Sequence, residues 1–166
     1  MLTALDTDDS ALDEHERDFV AKIREHGWFR TSVLAEGEEA AFSYTTGLWT
    51  TLGHPEVIVF GLKSDTAHSV LWDIFRDVKD GKALSAGMRL PDVFGNTDAY
   101  LFKVATTHYP EYLGWNRWFY RGDDFPCLQL VWPDRNKVFP WQDGFQGEFR
   151  GVQPDLSVQG WGEGKP

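Results

Sequence analysis

Cysteine is almost absent from the sequence, since Cys127 is the only one among 166 residues. A single cysteine excludes an internal disulfide framework and any zinc site built from several cysteines. Cys127 lies in the apolar run Pro126-Cys127-Leu128, which has no neighbouring base to lower the pKa of a thiol. We therefore expect a small buried hydrophobic side chain at this position rather than a nucleophile.

Long apolar segments and basic segments are missing as well. No uninterrupted apolar run approaches the roughly 18 residues that a membrane helix needs. The first segment, MLTALDTDDS, has neither the basic nor the apolar region of a secretory signal. Acidic residues outnumber basic ones by 26 to 16, which gives a formal charge of -10. We expect a cytoplasmic protein that binds neither nucleic acid nor membranes, because an acidic surface repels phosphate groups.

The five histidines do not have the spacing of metal ligands. The sequence contains no His-Glu-x-x-His motif and no pair of histidines at helical spacing. A zinc site would therefore require His26, His54 or His108 to converge with a carboxylate from a distant segment. We predict that the protein has no metal site.

What the sequence does contain is apolar and aromatic material for one folded domain. Hydrophobic residues make up 42% of the chain and aromatic residues 15%, which argues against disorder despite the charge. The length fits one domain, which we place at residues 10–145. Residues 1–9 are predicted to be an acidic, flexible N-terminus. Residues 146–166 form a tail rich in Gly, Gln and Pro, which is either frayed or strapped over the surface.

Hydrophobic periodicity predicts two main helices and a set of strands. The first helix follows Ser10 as its cap and ends at Gly27, and the second follows Ser64 or Asp65 and ends near Gly81. The predicted strands cover residues 28–34, 41–48, 57–62, 99–106 and 126–134, with a weak strand between the third and the fourth. Short connections favour antiparallel pairing, so the predicted class is α+β. Its mostly antiparallel sheet is curved, with barrel-like closure as one alternative, and carries the two helices.

Several blocks of residues carry a resemblance to a known family. They are His26-Gly27-Trp28, Tyr44-Thr45-Thr46-Gly47-Leu48, Gly53-His54-Pro55-Glu56, and Gln129-Leu130-Val131-Trp132-Pro133-Asp134 followed by Phe139-Pro140-Trp141. In this order, over residues 15–145, the chain resembles the bacterial family called domain of unknown function 4262. The resemblance implies membership of that family and no particular activity.

The same blocks contain the candidate site residues. Those predicted to contact a ligand are His26, Tyr44, Thr46, Gln129 and Asp134. His54 and Glu56 lie two positions apart, so in an extended backbone both side chains face one side, as an acid or base and its orienting carboxylate would. The Gly-His-Pro-Glu run equally suits the start of a strand, where the histidine caps backbone groups. Asp134 likewise suits the start of a turn.

An aromatic segment from Tyr109 to Phe125 contributes two further candidates, Trp115 and Trp118. Tyr and Trp side chains at this density can form a pocket wall that stacks on planar ligands. The alternative is a lid that closes one end of the sheet.

These observations favour a pocket with a polar floor and an aromatic wall that binds a small organic ligand. The protein would also act on that ligand if His54 and Glu56 form a catalytic pair. One alternative is an interaction or immunity-type protein whose acidic N-terminal surface docks on a basic protein partner. Another is a flavin-binding protein of the split-barrel type, although the sequence requires no cofactor. Residues 31–62 contain no Lys or Arg, so a flavin phosphate would need Arg89, Arg117 or Arg121.

Overall fold

The computed structural model describes residues 1–149 and 151–161 of the chain. The strands are β1 (Phe29–Val33), β2 (Phe42–Thr46), β3 (Glu56–Phe60), β4 (Arg89–Leu90), β5 (Ala99–Lys103) and β6 (Cys127–Val131). They form one sheet in the order β1-β2-β3-β6-β5-β4. Only the β3–β6 pair of this sheet is parallel. The predicted α+β class and mostly antiparallel sheet are confirmed, but the sheet is open, so the barrel alternative was wrong.

Five α-helices accompany the sheet in the described part of the chain. They are α1 (Glu14–His26), α2 (Leu48–Leu52), α3 (Ser64–Lys79), α4 (Tyr109–Tyr112) and α5 (Gly114–Tyr120). The predicted cap of α1 was wrong: Asp13 caps the helix, through a reciprocal capping box with Glu16, and Ser10 lies in a short turn before it. Gly27 ends α1 in the left-handed conformation, as expected.

The two long helices cover opposite faces of the sheet. Phe19, Val20 and Ile23 of α1 join one buried cluster with Tyr44 and with residues of α5. The apolar stripe of α3 joins a second cluster with alternate residues of β3 and β6. Because successive side chains of a strand point to opposite faces of the sheet, each central strand contributes residues to both clusters. Cys127 is fully buried in the first cluster, where burial raises the pKa of its thiol.

Both ends of the described chain pack against the domain. Thr3 and Ala4 are buried, and the turn Ala4–Asp6 contacts α5, so the segment that we predicted to be flexible is folded onto the core. At the other end, Leu156 is buried and its carbonyl accepts a hydrogen bond from the amide of Ala105 at 2.8 Å. Residues 151–161 are therefore strapped over the surface. Docking of a basic partner on the acidic N-terminal surface stays a prediction.

Gly47 allows a close approach that positions α2. Its φ is +115°, and a Cβ atom there would lie 2.6 Å from the carbonyl oxygen of Gly27 and 2.9 Å from the Cα of Trp28. We expect Gly47→Ala to lower the free energy of unfolding by about 2–4 kcal/mol, measured by chemical denaturation. Gly53 is the matched control, because its φ is +66° but no atom lies within 4 Å of its Cβ position. Gly53→Ala should cost only about 1–2 kcal/mol, and equal losses in the two variants would contradict the close-approach argument.

Among the described residues, no helix combines the length and the apolar character that crossing a membrane requires.

Candidate functional site

A buried polar layer, centred on Glu56, lies between β2, β3 and α5. The Glu56 side chain is completely buried. Its carboxylate accepts hydrogen bonds from the Thr45 hydroxyl at 2.7 Å, the backbone N–H groups of Gly47, Leu48 and Trp49 at 3.0, 3.1 and 3.3 Å, and the Tyr120 hydroxyl. The three N–H groups belong to the first turn of α2, which has no other side-chain cap. Glu56 therefore anchors this short helix to the sheet.

The electrostatics of Glu56 are a balance between burial and hydrogen bonding. The pKa of the carboxyl is raised above its ordinary value, because burial outweighs the hydrogen bonds from Tyr120, Thr45 and the α2 amides, which lower it. Burial and the adjacent Glu56 raise the pKa of the Tyr120 hydroxyl. The ionised carboxylate fits this environment, because it accepts from all five donors at once.

Tyr44 and Thr46 belong to the same layer and contact α5. The Tyr44 hydroxyl accepts a hydrogen bond from the backbone N–H of Trp115 at 3.1 Å, and the Thr46 hydroxyl donates to the side-chain oxygen of Asn116. Three of the predicted site residues, Tyr44, Thr46 and Glu56, therefore lie in one layer, but α5 covers them. Asn116 and Tyr120 were missed, although two polar groups four residues apart in an aromatic segment indicate one helix face.

His54 lies outside this layer and is 6% exposed. Its Nδ1 lies 2.8 Å from the carbonyl oxygen of Pro55, and its Nε2 lies 3.1 Å from that of Leu84. The ring thus links the start of β3 to the loop after α3, as the backbone-capping alternative describes. Since the Glu56 carboxylate is surrounded by other donors, the predicted orienting bond to His54 is not formed. His54 is therefore not hydrogen-bonded to Glu56, the residue predicted to orient it. A catalytic role of His54 stays a prediction.

Gln129 and Asp134 hold other parts of the chain in place. The Gln129 amide donates to the carbonyl of Pro154 at 2.7 Å and accepts from the N–H of Leu156 at 3.2 Å, which fastens the strapped tail. Asp134 accepts from the N–H groups of Asn136, Val138 and Gln146 at 2.8, 3.0 and 2.8 Å. Burial raises the pKa of Asp134, but these three hydrogen bonds outweigh it and leave the pKa below its ordinary value.

Trp115 and Trp118 pack on α1. The Trp115 ring stacks on Phe19 with ring centres 4.5 Å apart, and Trp118 meets the same ring edge-on at 6.2 Å. This arrangement agrees with the alternative in which the aromatic segment closes the sheet.

The arginines considered for a flavin phosphate contact other groups. Arg89 pairs with Asp98 at 2.5 Å and Arg117 pairs with Asp123 at 2.6 Å. Arg121 donates to the hydroxyl of Thr7 at 2.5 Å. Each of the three guanidinium groups thus has a different partner, and these contacts do not form a phosphate site. Flavin binding stays a prediction.

An open aromatic groove, of about 470 Å³, lies where α1, β1 and α3 meet. Its lining residues are Lys22, Glu25, His26, Trp28, Phe29, Arg30, His68 and Trp72. The last turns of α1, the first residues of β1 and the exposed side of α3 each supply part of the wall. Of the predicted ligand contacts, His26 lies on this groove. The other lining residues were not predicted from the sequence. His68 and Trp72, which lie four residues apart on the polar side of α3, could have indicated an aromatic surface on that side.

The wall of the groove is a stack of aromatic rings. Trp28 is 4% exposed and forms its base. Its ring centre lies 6.2 Å from that of His68 at an interplanar angle of 14°, and 6.1 Å from that of Trp72 at 28°. Trp72 is 41% exposed, which is unusual for so large an apolar side chain. The groove therefore offers accessible aromatic surface on a rigid base.

The charged residues of the groove are placed around this stack. Arg30 donates from Nη1 to the carbonyl oxygen of Ser64 at 2.7 Å and to its hydroxyl at 3.0 Å. The Lys22 ammonium lies 4.8 Å from the centre of the Phe29 ring. A smaller depression of about 300 Å³ shares Lys22, Phe29 and Arg30 with the groove and reaches Trp115.

Comparison with known proteins places the chain in a family. Residues 22–146 match the model of a family described as domain of unknown function (DUF4262). The chain belongs to the DUF4262 family. The resemblance seen in the four sequence blocks is thereby confirmed. No curated protein and no solved structure gave a significant match.

The matched part of this DUF4262 protein contains both features described above. All lining residues of the aromatic groove and all members of the Glu56 layer fall within residues 22–146. In the described part of the chain, no three His, Cys, Asp or Glu side chains are grouped in a way that could hold a metal ion.

Proposed function

We propose that this DUF4262 protein binds a small planar organic molecule in the aromatic groove. The observation that carries the proposal is the stack of Trp28, His68 and Trp72 along an open groove of about 470 Å³. Ligand sites usually have volumes of about 300–1,000 Å³ and walls that are mainly apolar and aromatic. Contiguous exposed apolar surface rimmed by polar residues is typical of ligand-binding grooves.

The buried polar layer has a different role in this proposal. Glu56, Tyr44 and Thr46 bind elements of the same chain, so they hold α2 and α5 on the sheet. A ligand that stacks in the groove meets the other side of this scaffold, because Trp28 packs in the cluster of α3 whereas Tyr44 packs in the cluster of α1. In this proposal the buried polar layer keeps the groove rigid, and the residues of the groove contact the ligand.

Replacing Trp72 by Ala should weaken binding of a planar probe by about two- to tenfold, because one stacking partner contributes roughly 0.5–1.5 kcal/mol. The probe is 2-naphthoate, titrated while proton–nitrogen spectra are recorded. In the unsubstituted protein, the indole N–H signals of Trp28 and Trp72 should shift most. The indole signal of Trp141, which packs on Phe102 and Phe139 away from the groove, should move little.

Leu34→Ala is the matched control for this test. Leu34 is 80% exposed and lies outside the groove. Its replacement by Ala therefore removes exposed apolar surface elsewhere on the protein and leaves the groove intact. This variant should bind 2-naphthoate as the unsubstituted protein does. Shifts spread evenly over many exposed apolar residues, or equal weakening by the two substitutions, would refute the proposed function.

A further inference from the structure

We infer that the ligand of the aromatic groove carries a negative charge, such as a carboxylate, on its planar ring system. The inference rests on the proposed function and adds the chemical class of the ligand. It starts from a contrast between the groove and the chain as a whole, whose formal charge is -10. Lys22 and Arg30 line the groove, and Glu25 is its only carboxylate among the described residues.

Arg30 is held in a position suited to an anion. Its two hydrogen bonds to Ser64 both use Nη1, and they fix the plane of the guanidinium at the start of α3. A guanidinium is a flat group with five N–H donors. The N–H groups on Nε and Nη2 point in the same direction, so the two oxygens of one carboxylate can accept from both at once. Arg30 is also partly buried, which reduces the screening of its charge by water.

Lys22 adds a second positive charge next to Phe29. Its ammonium lies over the Phe29 ring at 4.8 Å, and Phe29 itself is the neighbour of Arg30 in β1. The Glu25 carboxylate, which would repel an anion, lies 3.6 Å from the Nε2 atom of His26 and is largely exposed.

An organic cation is the competing class, because aromatic walls also attract cations through their ring faces. Such sites place carboxylates around the rings to reinforce that attraction. Here Glu25 lines the groove and Asp18 lines the smaller depression beside it, but only the cations Lys22 and Arg30 line both. Placed next to Phe29, these two cations would repel a bound cation and attract an anion.

The test compares two probes of equal shape, 2-naphthoate and its neutral amide, 2-naphthamide. We expect 2-naphthoate to bind about three- to tenfold more tightly at about 0.1 M NaCl. This advantage should largely disappear at about 1 M NaCl, where the Debye length falls from about 10 Å to about 3 Å. Binding is measured by the shifts of the Trp28 and Trp72 indole signals on the full chain.

Four variants assign the preference to the groove. Arg30→Gln and Lys22→Gln should each reduce the advantage of 2-naphthoate and leave the affinity for 2-naphthamide nearly unchanged. Arg30→Lys should retain part of the advantage, because it retains the charge but loses the fork. Lys103→Gln makes the same charge change on β5, outside the groove, and should have no effect.

The outcomes separate the two proposals. Equal affinity for the two probes, with shifts at Trp28 and Trp72, would overturn the charge inference and leave the proposed function standing. Binding of neither probe would overturn both. A preference for 2-naphthoate that Lys103→Gln lowers as much as Arg30→Gln does would also overturn the inference, because it would reflect the whole surface rather than the groove.

Discussion

Replacing Glu56 by Gln should lower the free energy of unfolding by about 3–5 kcal/mol, the usual cost of removing one partner from a buried charged network. A glutamine offers one acceptor oxygen and one amide nitrogen in place of two acceptor oxygens. Whichever way it is turned, its nitrogen faces at least one N–H of Gly47, Leu48 or Trp49. A backbone N–H cannot accept, so a buried donor is left unsatisfied. Chemical denaturation followed by tryptophan fluorescence measures the loss.

Two further variants test this interpretation. Glu38→Gln makes the same change on the exposed hairpin turn and should stay within about 0.5 kcal/mol of the unsubstituted protein. Tyr120→Phe removes one of the donors and should cost about 1–2 kcal/mol. If Glu56→Gln lost less than about 1 kcal/mol, the charged form of the carboxylate would not be what α2 depends on.

Replacing Ile74 by Asp should abolish cooperative folding. Ile74 is 5% exposed and lies on the apolar stripe of α3, within the cluster that covers one face of the sheet. The substitution removes a large buried side chain, at a cost of about 2–5 kcal/mol, and adds an unpaired charge in the same place. The total is comparable with the whole stability of a domain, about 5–15 kcal/mol. Near-ultraviolet circular dichroism should lose its signal.

The matched control introduces the same residue on the exposed side of the same helix. Ser69 is exposed, so Ser69→Asp should leave the denaturation midpoint almost unchanged. Ile74→Val, which removes one methylene group, should cost only about 0.5–1.5 kcal/mol. A folded Ile74→Asp protein with a normal transition would show that the stripe of α3 is not part of the core.

Local patterns were sufficient for the two long helices and the central strands of this fold, but not for α2, whose residues were predicted to be the end of a strand and a loop. The stripe of α3 is visible because a buried helix must repeat apolar residues with a period near 3.6, and β3 is visible as a continuous apolar run. The cap of α1 was misplaced, because Ser10 and Asp13 are both good capping residues. The choice between them depends on Glu16, whose side chain completes the capping box with Asp13.

The candidate site was predicted less well than the fold. Tyr44, Thr46 and Glu56 were chosen as candidates from separate sequence blocks, but no local pattern could show that α5 would cover them. His54 and Glu56 are close in sequence, yet Glu56 is drawn to the amides of α2, since a buried carboxylate needs several donors. The aromatic groove joins residues from three elements that are far apart in the chain.

What the sequence alone determined is the class of the protein: two amphipathic helices, a set of short strands, an acidic surface and membership of one family. Those properties are set by composition and by periods of two and 3.6 residues, which act over short distances. The tertiary structure alone decided that β6 lies between β3 and β5, parallel to β3. It also decided that Trp28, His68 and Trp72 meet at the groove. Both depend on contacts between distant residues, and these form only when burying apolar surface outweighs the entropy of closing long loops.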